Sequence, residues 1–178
     1  IDSPRPASQR AAALVLTAAM LTTLAAPAFA ATWRIEDGNI TVKAGDTEGT
    51  NKVSQGTIID KVDTNTIITN SDKATASSNT VTIDAEDHKV EVTLDNVNIK
   101  ADSGSALTSK GDVTLTLKGD NHLTGGNGDT YGGDGITSSG SLTISGGTVT
   151  ATGGNSTDSV GSGGSGISSF NRVAISGS

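Results

Sequence analysis

The sequence predicts an all-β chain, wound as a right-handed parallel β-helix (a β-solenoid) with coils of about 23–31 residues. Three observations carry that expectation. Aliphatic residues alternate with polar ones in short runs, the period of a strand with one buried face. The runs recur with the same internal spacing. Aromatic residues make up 2% of the chain and cysteine is absent, so large rings and disulfides cannot supply the core. Thin coils packed from Ile, Leu and Val suit that composition.

The repeat is clearest from residue 105 onward. "SALTSKGDVTLTLKGDNHLTGG", "DGITSSGSLTISGGTVTATGG" and "SGISSFNRVAISGS" align so that Leu107, Ile136 and Ile167 match. Val113, Leu142 and Val173 match as well, as do Leu115, Ile144 and Ile175. An earlier copy, "KVEVTLDNVNIKADSG", places Val90, Val92 and Leu94 on Val113, Leu115 and Leu117. The period of two breaks at Asp95-Asn96, at 118–121 and at 145–148, where Asp, Asn and Gly tolerate the backbone angles of a sharp corner. Short second strands follow, at Val97 and Ile99, at Leu123, and at Val149 and Ala151. A flat array of antiparallel hairpins is disfavoured, because equivalent positions recur in register and stack into ladders in a parallel coil. The variable piece follows the "TGG" corner: "NGDTYGGDG" in one copy, "NSTDSVGSGG" in the next. Insertions of this kind map to one face of a solenoid.

Residues 1–30 read as a secretion signal peptide rather than fold. Arg5 and Arg10 precede an uncharged apolar run, and Ala28-Phe29-Ala30 forms an A-x-A cleavage site before Ala31. The run is short for the roughly 20 residues of a membrane span, so no membrane association is expected after cleavage. The expected location is secreted, extracellular or at the cell surface. Residues 31–80 are less regular. They contain "NITV", "TII", "TIIT" and "TVTI" and are expected to form the first coils or a cap. Residues 81–178 form the regular coils. The chain opens on Ile1 rather than Met and "VAISGS" stops mid-pattern, so both ends are expected to continue.

The chain carries a net charge of -7; loss of Asp2, Arg5 and Arg10 with the signal makes it -8. No Lys/Arg run occurs, which excludes a nucleic-acid partner of the usual electrostatic kind.

"NTVTIDAEDHKVEVTLDNVNI", "GSALTSKGDVTLTLKGDNHLTGG" and "GSLTISGGTVTATGG" resemble a family of secreted bacterial carbohydrate-binding β-helix proteins over roughly residues 36–178. That family is similar in fold to pectate lyases. The resemblance implies binding of polysaccharide (cellulose, pectin or a surface glycan) with Ca²⁺ as an associated ion.

Candidate ligands follow from residue chemistry. Ca²⁺ takes six to eight oxygens from carboxylates, amides and carbonyls. Asp95, Asn96, Asp120 and Asn121 fall at corners, and Asp129 and Asp134 in a loop, "GGNGDTYGG", close to a calcium-binding nonapeptide but with Asp129 one position early. Asp and Asn are also simply good corner residues. For sugar, Tyr131 is the aromatic on the variable loop, beside Asp129, Asp134 and, one copy later, Asp158. Trp33 suits a cover over the solenoid end. An acidic polymer would need a cation to bridge carboxylate to carboxylate.

Catalysis is not expected. From residue 101 the basic residues are Lys110, Lys118 and Arg172, none in a lyase-like motif, and the hydrolase strings "GHG" and "RIK" do not occur. His122 reads as a solvated corner residue, and no His is positioned to activate a Ser or Thr. The alternative class is a structural or adhesin stalk of a bacterial surface protein. An ice-binding Thr grid is interrupted by Lys118, Asp120 and the Gly corners.

Overall fold

The computed structural model describes residues 29–177. Of the expected signal segment 1–30, residues 1–28 lie outside the described residues, and Phe29 and Ala30 open the first strand. The described chain is all-β apart from one 3₁₀ turn, Ile35–Asp37. Its strands are β1 (Phe29–Arg34), β2 (Ile40–Ala44), β3 (Asn51–Gln55), β4 (Ile58–Thr69), β5 (Val81–Asp95), β6 (Asn98–Lys100), β7 (Leu107–Thr124), β8 (Ile136–Ser139), β9 (Leu142–Thr152), β10 (Ile167–Ser169) and β11 (Val173–Ser176). They form one mixed sheet of eleven strands, along the path β1-β4-β3-β2-β5-β7-β8-β10, with β6, β9 and β11 joined from the side.

From β5 onward the strand pairings among the described residues are all parallel, and their register is the sequence repeat. Val81 lies against Leu107, Leu107 against Ile136, and Ile136 against Ile167. Val90, Val113, Leu142 and Val173 form a second column; Val92, Leu115, Ile144 and Ile175 form a third. Ile99, Leu123 and Ala151 form a fourth beyond the corner. Because side chains alternate across a strand, a slip of one residue would turn every column to the outer face. The inner positions of these columns are filled: Leu107, Val113, Leu115, Leu123 and Ile136 are fully buried. Val, Ile and Leu dominate the buried set, with Trp33 the aromatic among them.

Residues 31–80 are more regular than their composition implies. Ile40–Lys43 pair in parallel with Val81–Asp84, and Thr66–Thr69 with Val92–Asp95, so both segments extend the later columns. "TII" and "TIIT" belong to a single strand, β4. Between β2 and β4 sits an antiparallel insertion: β3 pairs antiparallel with both. Its sequence, "NKVSQ", has one aliphatic residue and no visible alternation. Hydrogen bonds from two neighbours hold it instead.

The corners are built by side-chain amides. Asn96 is left-handed (φ 53°) and Gly119, below it, is left-handed too (φ 65°). An added Cβ on Gly119 would sit 2.3 Å from the Asn96 amide oxygen. Asn121 is fully buried. Its Oδ1 accepts from the Val97 N–H at 2.8 Å, and its Nδ2 donates to the carbonyls of Lys118 and Thr148, both at 3.2 Å. One amide thus joins three successive repeats at a point where the ladder register shifts, between Leu117 and Asp120. Asn70 acts similarly two repeats earlier, accepting from Asn98 N at 2.7 Å and donating to Asn98 O at 3.1 Å.

Removing the Asn121 amide strands the Val97 N–H in a dry corner and takes a donor from the carbonyls of Lys118 and Thr148. Asn121→Ala is expected to cost about 2–4 kcal/mol, whereas Thr150→Ala on the exposed face stays within about 0.5 kcal/mol. Urea unfolding of the two variants measures the contrast.

Candidate functional site

The variable loops run from Gly125 to Gly135, after β7, and from Gly153 to Gly166, after β9. They stack in register, as the strands below them do. Gly128 pairs in parallel with Ser156, and Tyr131 with Ser162. Backbone bonds join the loops along their length: Gly128 N to Asn155 O (3.0 Å), Thr157 N to Gly128 O, Asp158 N to Asp129 O and Ser162 N to Thr130 O (all 2.9 Å).

The glycines explain why the loops can approach so closely. A column of backbone bonds runs through their base, from Gly126 N to Gly104 O, Gly133 N to Gly126 O, Gly154 N to Gly133 O and Gly164 N to Gly154 O, at 2.7–2.8 Å. A Cβ on Gly133 would lie 1.9 Å from Gly104 O, and one on Gly154 would lie 1.9 Å from Gly126 O. Both obstacles are backbone atoms, which cannot swing aside.

Among the exposed side chains on this base are Asp129, Asp158 and Tyr131. Asp129 and Asp158 stand on adjacent loops, joined by the bond from Asp158 N to Asp129 O. Their carboxylates have weak internal partners: Thr157 Oγ1 at 3.4 Å from Asp129 Oδ1, and Val160 N at 3.3 Å from Asp158 Oδ1. Tyr131, two residues on from Asp129, is 74% exposed. Asp134 is different. Its Oδ2 accepts from the Thr137 hydroxyl and its Oδ1 from Ser165 N, both at 2.8 Å. Both oxygens hold the second loop to the start of β8, so Asp134 shapes the site from beneath rather than facing a ligand with free oxygens.

The expected corner ligands divide in the same way. Asp95, Asn96, Asp120 and Asn121 do meet at one corner. Asp95, however, lies in register with Lys118 rather than Asp120, because the longer corner in β7 offsets the copies. Asp95 Oδ1 accepts from Asn96 Nδ2 at 2.6 Å, and Asn96 Oδ1 accepts from Asp120 N at 3.3 Å. Asn121 faces inward with its amide engaged, so it serves the backbone and is not a surface ligand. Among the described residues no three Asp, Glu, His or Cys side chains converge as a metal cluster. No family model matches the chain, and comparison with curated proteins and with solved structures finds no match.

One feature escaped the residue patterns. The turn from β2 to β3 overhangs β5 and encloses a groove of about 770 Å³, lined by Asp46, Glu48, Asp87, His88, Lys89 and Glu91 among others. Lys52 Nζ lies 2.7 Å from Asp46 Oδ1, and that hydrogen bond holds the Lys52 ammonium above its ordinary range. The groove depends on the antiparallel insertion, which carries no periodic signal.

Gly154→Ala is expected to push the two loops apart and to cost about 1–3 kcal/mol as overpacking. Faster amide exchange across 125–135 and 153–166, with β5 and β7 unchanged, checks it.

Proposed function

We propose that this chain is an exported, non-catalytic carbohydrate-binding protein built as a right-handed parallel β-helix. One observation carries the reading: the two insertion loops stack in register and present Tyr131, Asp129 and Asp158 on one rigid base. A sugar ring packs its C–H face on the exposed Tyr131 ring. Asp129 and Asp158 share a Ca²⁺ ion whose remaining positions go to water and to sugar hydroxyl or carboxylate oxygens. The ion lets an acidic chain hold an acidic polymer such as pectate, because a divalent charge offsets both carboxylates. Asp134 and the glycine column keep the three groups in place, so little loop ordering opposes binding. The bacterial family that the sequence resembles is described in the same terms. Secretion rests on the A-x-A site ahead of Ala31.

The test is retention on insoluble cellulose and on calcium-crosslinked polygalacturonate, with and without EDTA. Retention that EDTA abolishes is the expected result. Tyr131→Ala weakens it about tenfold, equivalent to about 1.4 kcal/mol, and Asp129→Asn loses the calcium-dependent retention. A folded sample that passes through both matrices under both conditions overturns the proposal in favour of a surface stalk.

A further inference from the structure

Asp63 is fully buried, yet among the described residues no basic side chain pairs with it; the ion pair found there is Lys52–Asp46. A buried carboxylate is costly unless hydrogen-bonded and compensated. Asp63 has the hydrogen bonds. Its Oδ2 accepts from the Trp33 indole at 2.8 Å, and its Oδ1 accepts from Asn65 N at 3.1 Å and from Ala31 N at 3.0 Å. The carboxylate sits where the β1–β4 register shifts, between Phe29 and Ala31. The third donor is the nitrogen that cleavage of the signal would free.

We infer that Asp63 is the counter-charge for the N-terminus created by cleavage between Ala30 and Ala31. The inference rests on the export reading. Hydrolysis of that amide consumes one water. Its OH joins the Ala30 carbonyl carbon, and its hydrogen joins the Ala31 nitrogen as the C–N bond breaks. The new acid then releases a proton and the new amine takes one up. Ala31 N changes from a neutral donor into an ammonium already within hydrogen-bond distance of a buried carboxylate. Processing thereby locks β1 and Trp33 onto β4, and the processed chain is more stable than its precursor. The other charges nearby are few. On β4, Lys61 lies 5.8 Å above the Trp33 ring and Asp60 is at the hairpin turn. On β1, Arg34 is exposed; on β3, Lys52 is paired with Asp46. On β5, Glu91 offers its backbone oxygen to Asn51.

The experiment compares urea unfolding of the processed chain and the uncleaved full chain, each with Asp63 and with Asp63→Asn. The substitution is expected to reduce the folding equilibrium constant about tenfold more in the processed chain, the equivalent of one pKa unit at the amine. A free α-amine titrates near about 7.7–8.0, and a carboxylate partner raises it. The extra stability is therefore complete below that range and is lost as pH rises through the raised value. If Asp63→Asn does not fold, the pH profiles of the two unsubstituted proteins decide: only the processed chain should lose stability in that window. Equal effects of Asp63→Asn, or parallel profiles, overturn the lock. N-terminal sequencing of the exported protein separates the two readings. A start other than Ala31 overturns the processing step itself, and the lock with it. A start at Ala31 with equal effects overturns the lock alone.

Discussion

Parallel backbone pairing in strict register is the constraint on which the rest depends. Strands β5, β7, β8 and β9 each pair with strands of the repeats before and after them. Side chains on a strand alternate at a period of two, so register and burial are one decision. The columns headed by Val81, Val90 and Val92 stay aliphatic where they are innermost because a displaced strand would lose its ladder and its core together. This also accounts for a protein with so few aromatics. Small columns of Ile, Leu and Val fill a narrow interior, and no large ring is needed.

Register must survive the corners, where the chain turns and copies differ in length. Asn121 and Asn70 carry it across by giving one side chain to two or three backbones. A buried amide earns its place here through specificity: an aliphatic residue would pack, but it would leave the corner free to slide. The loops outside the sheet follow the same rule with different means. They have no aliphatic columns, so glycine lets backbone lie directly on backbone. The exposed residues of the candidate site inherit their fixed spacing from that contact.

Much of this was legible in the sequence, for a physical reason. The match of Leu107, Ile136 and Ile167 is the observed pairing, because a one-dimensional stack writes its neighbours into its period. Legibility failed where contacts are not periodic. "NKVSQ" is a strand held by antiparallel neighbours, and its single valine could not announce it. Asp63 meets Trp33 across 30 residues of chain, with no local signature. Site chemistry was half visible. Loop residues Asp129 and Tyr131 reach the surface as their composition implied. Asn121 turned inward and Asp134 gives both oxygens to Thr137 and Ser165, since residue type alone does not say whether a polar group faces water or a stranded backbone atom.

The sheet has two unlike borders. On one side the end strand is β1, a single strand paired in parallel with β4, with its Trp33 buried. On the other, β10 and β11 each have a single strand neighbour, and the column Val92, Leu115, Ile144 and Ile175 goes from 2%, 0% and 1% exposed to 63%. Cooperativity in such a stack passes from neighbour to neighbour. A disturbance in β7 therefore reaches the loop after β9 through the β7–β9 ladder and the Gly133–Gly154 backbone contact, and fades with each further strand.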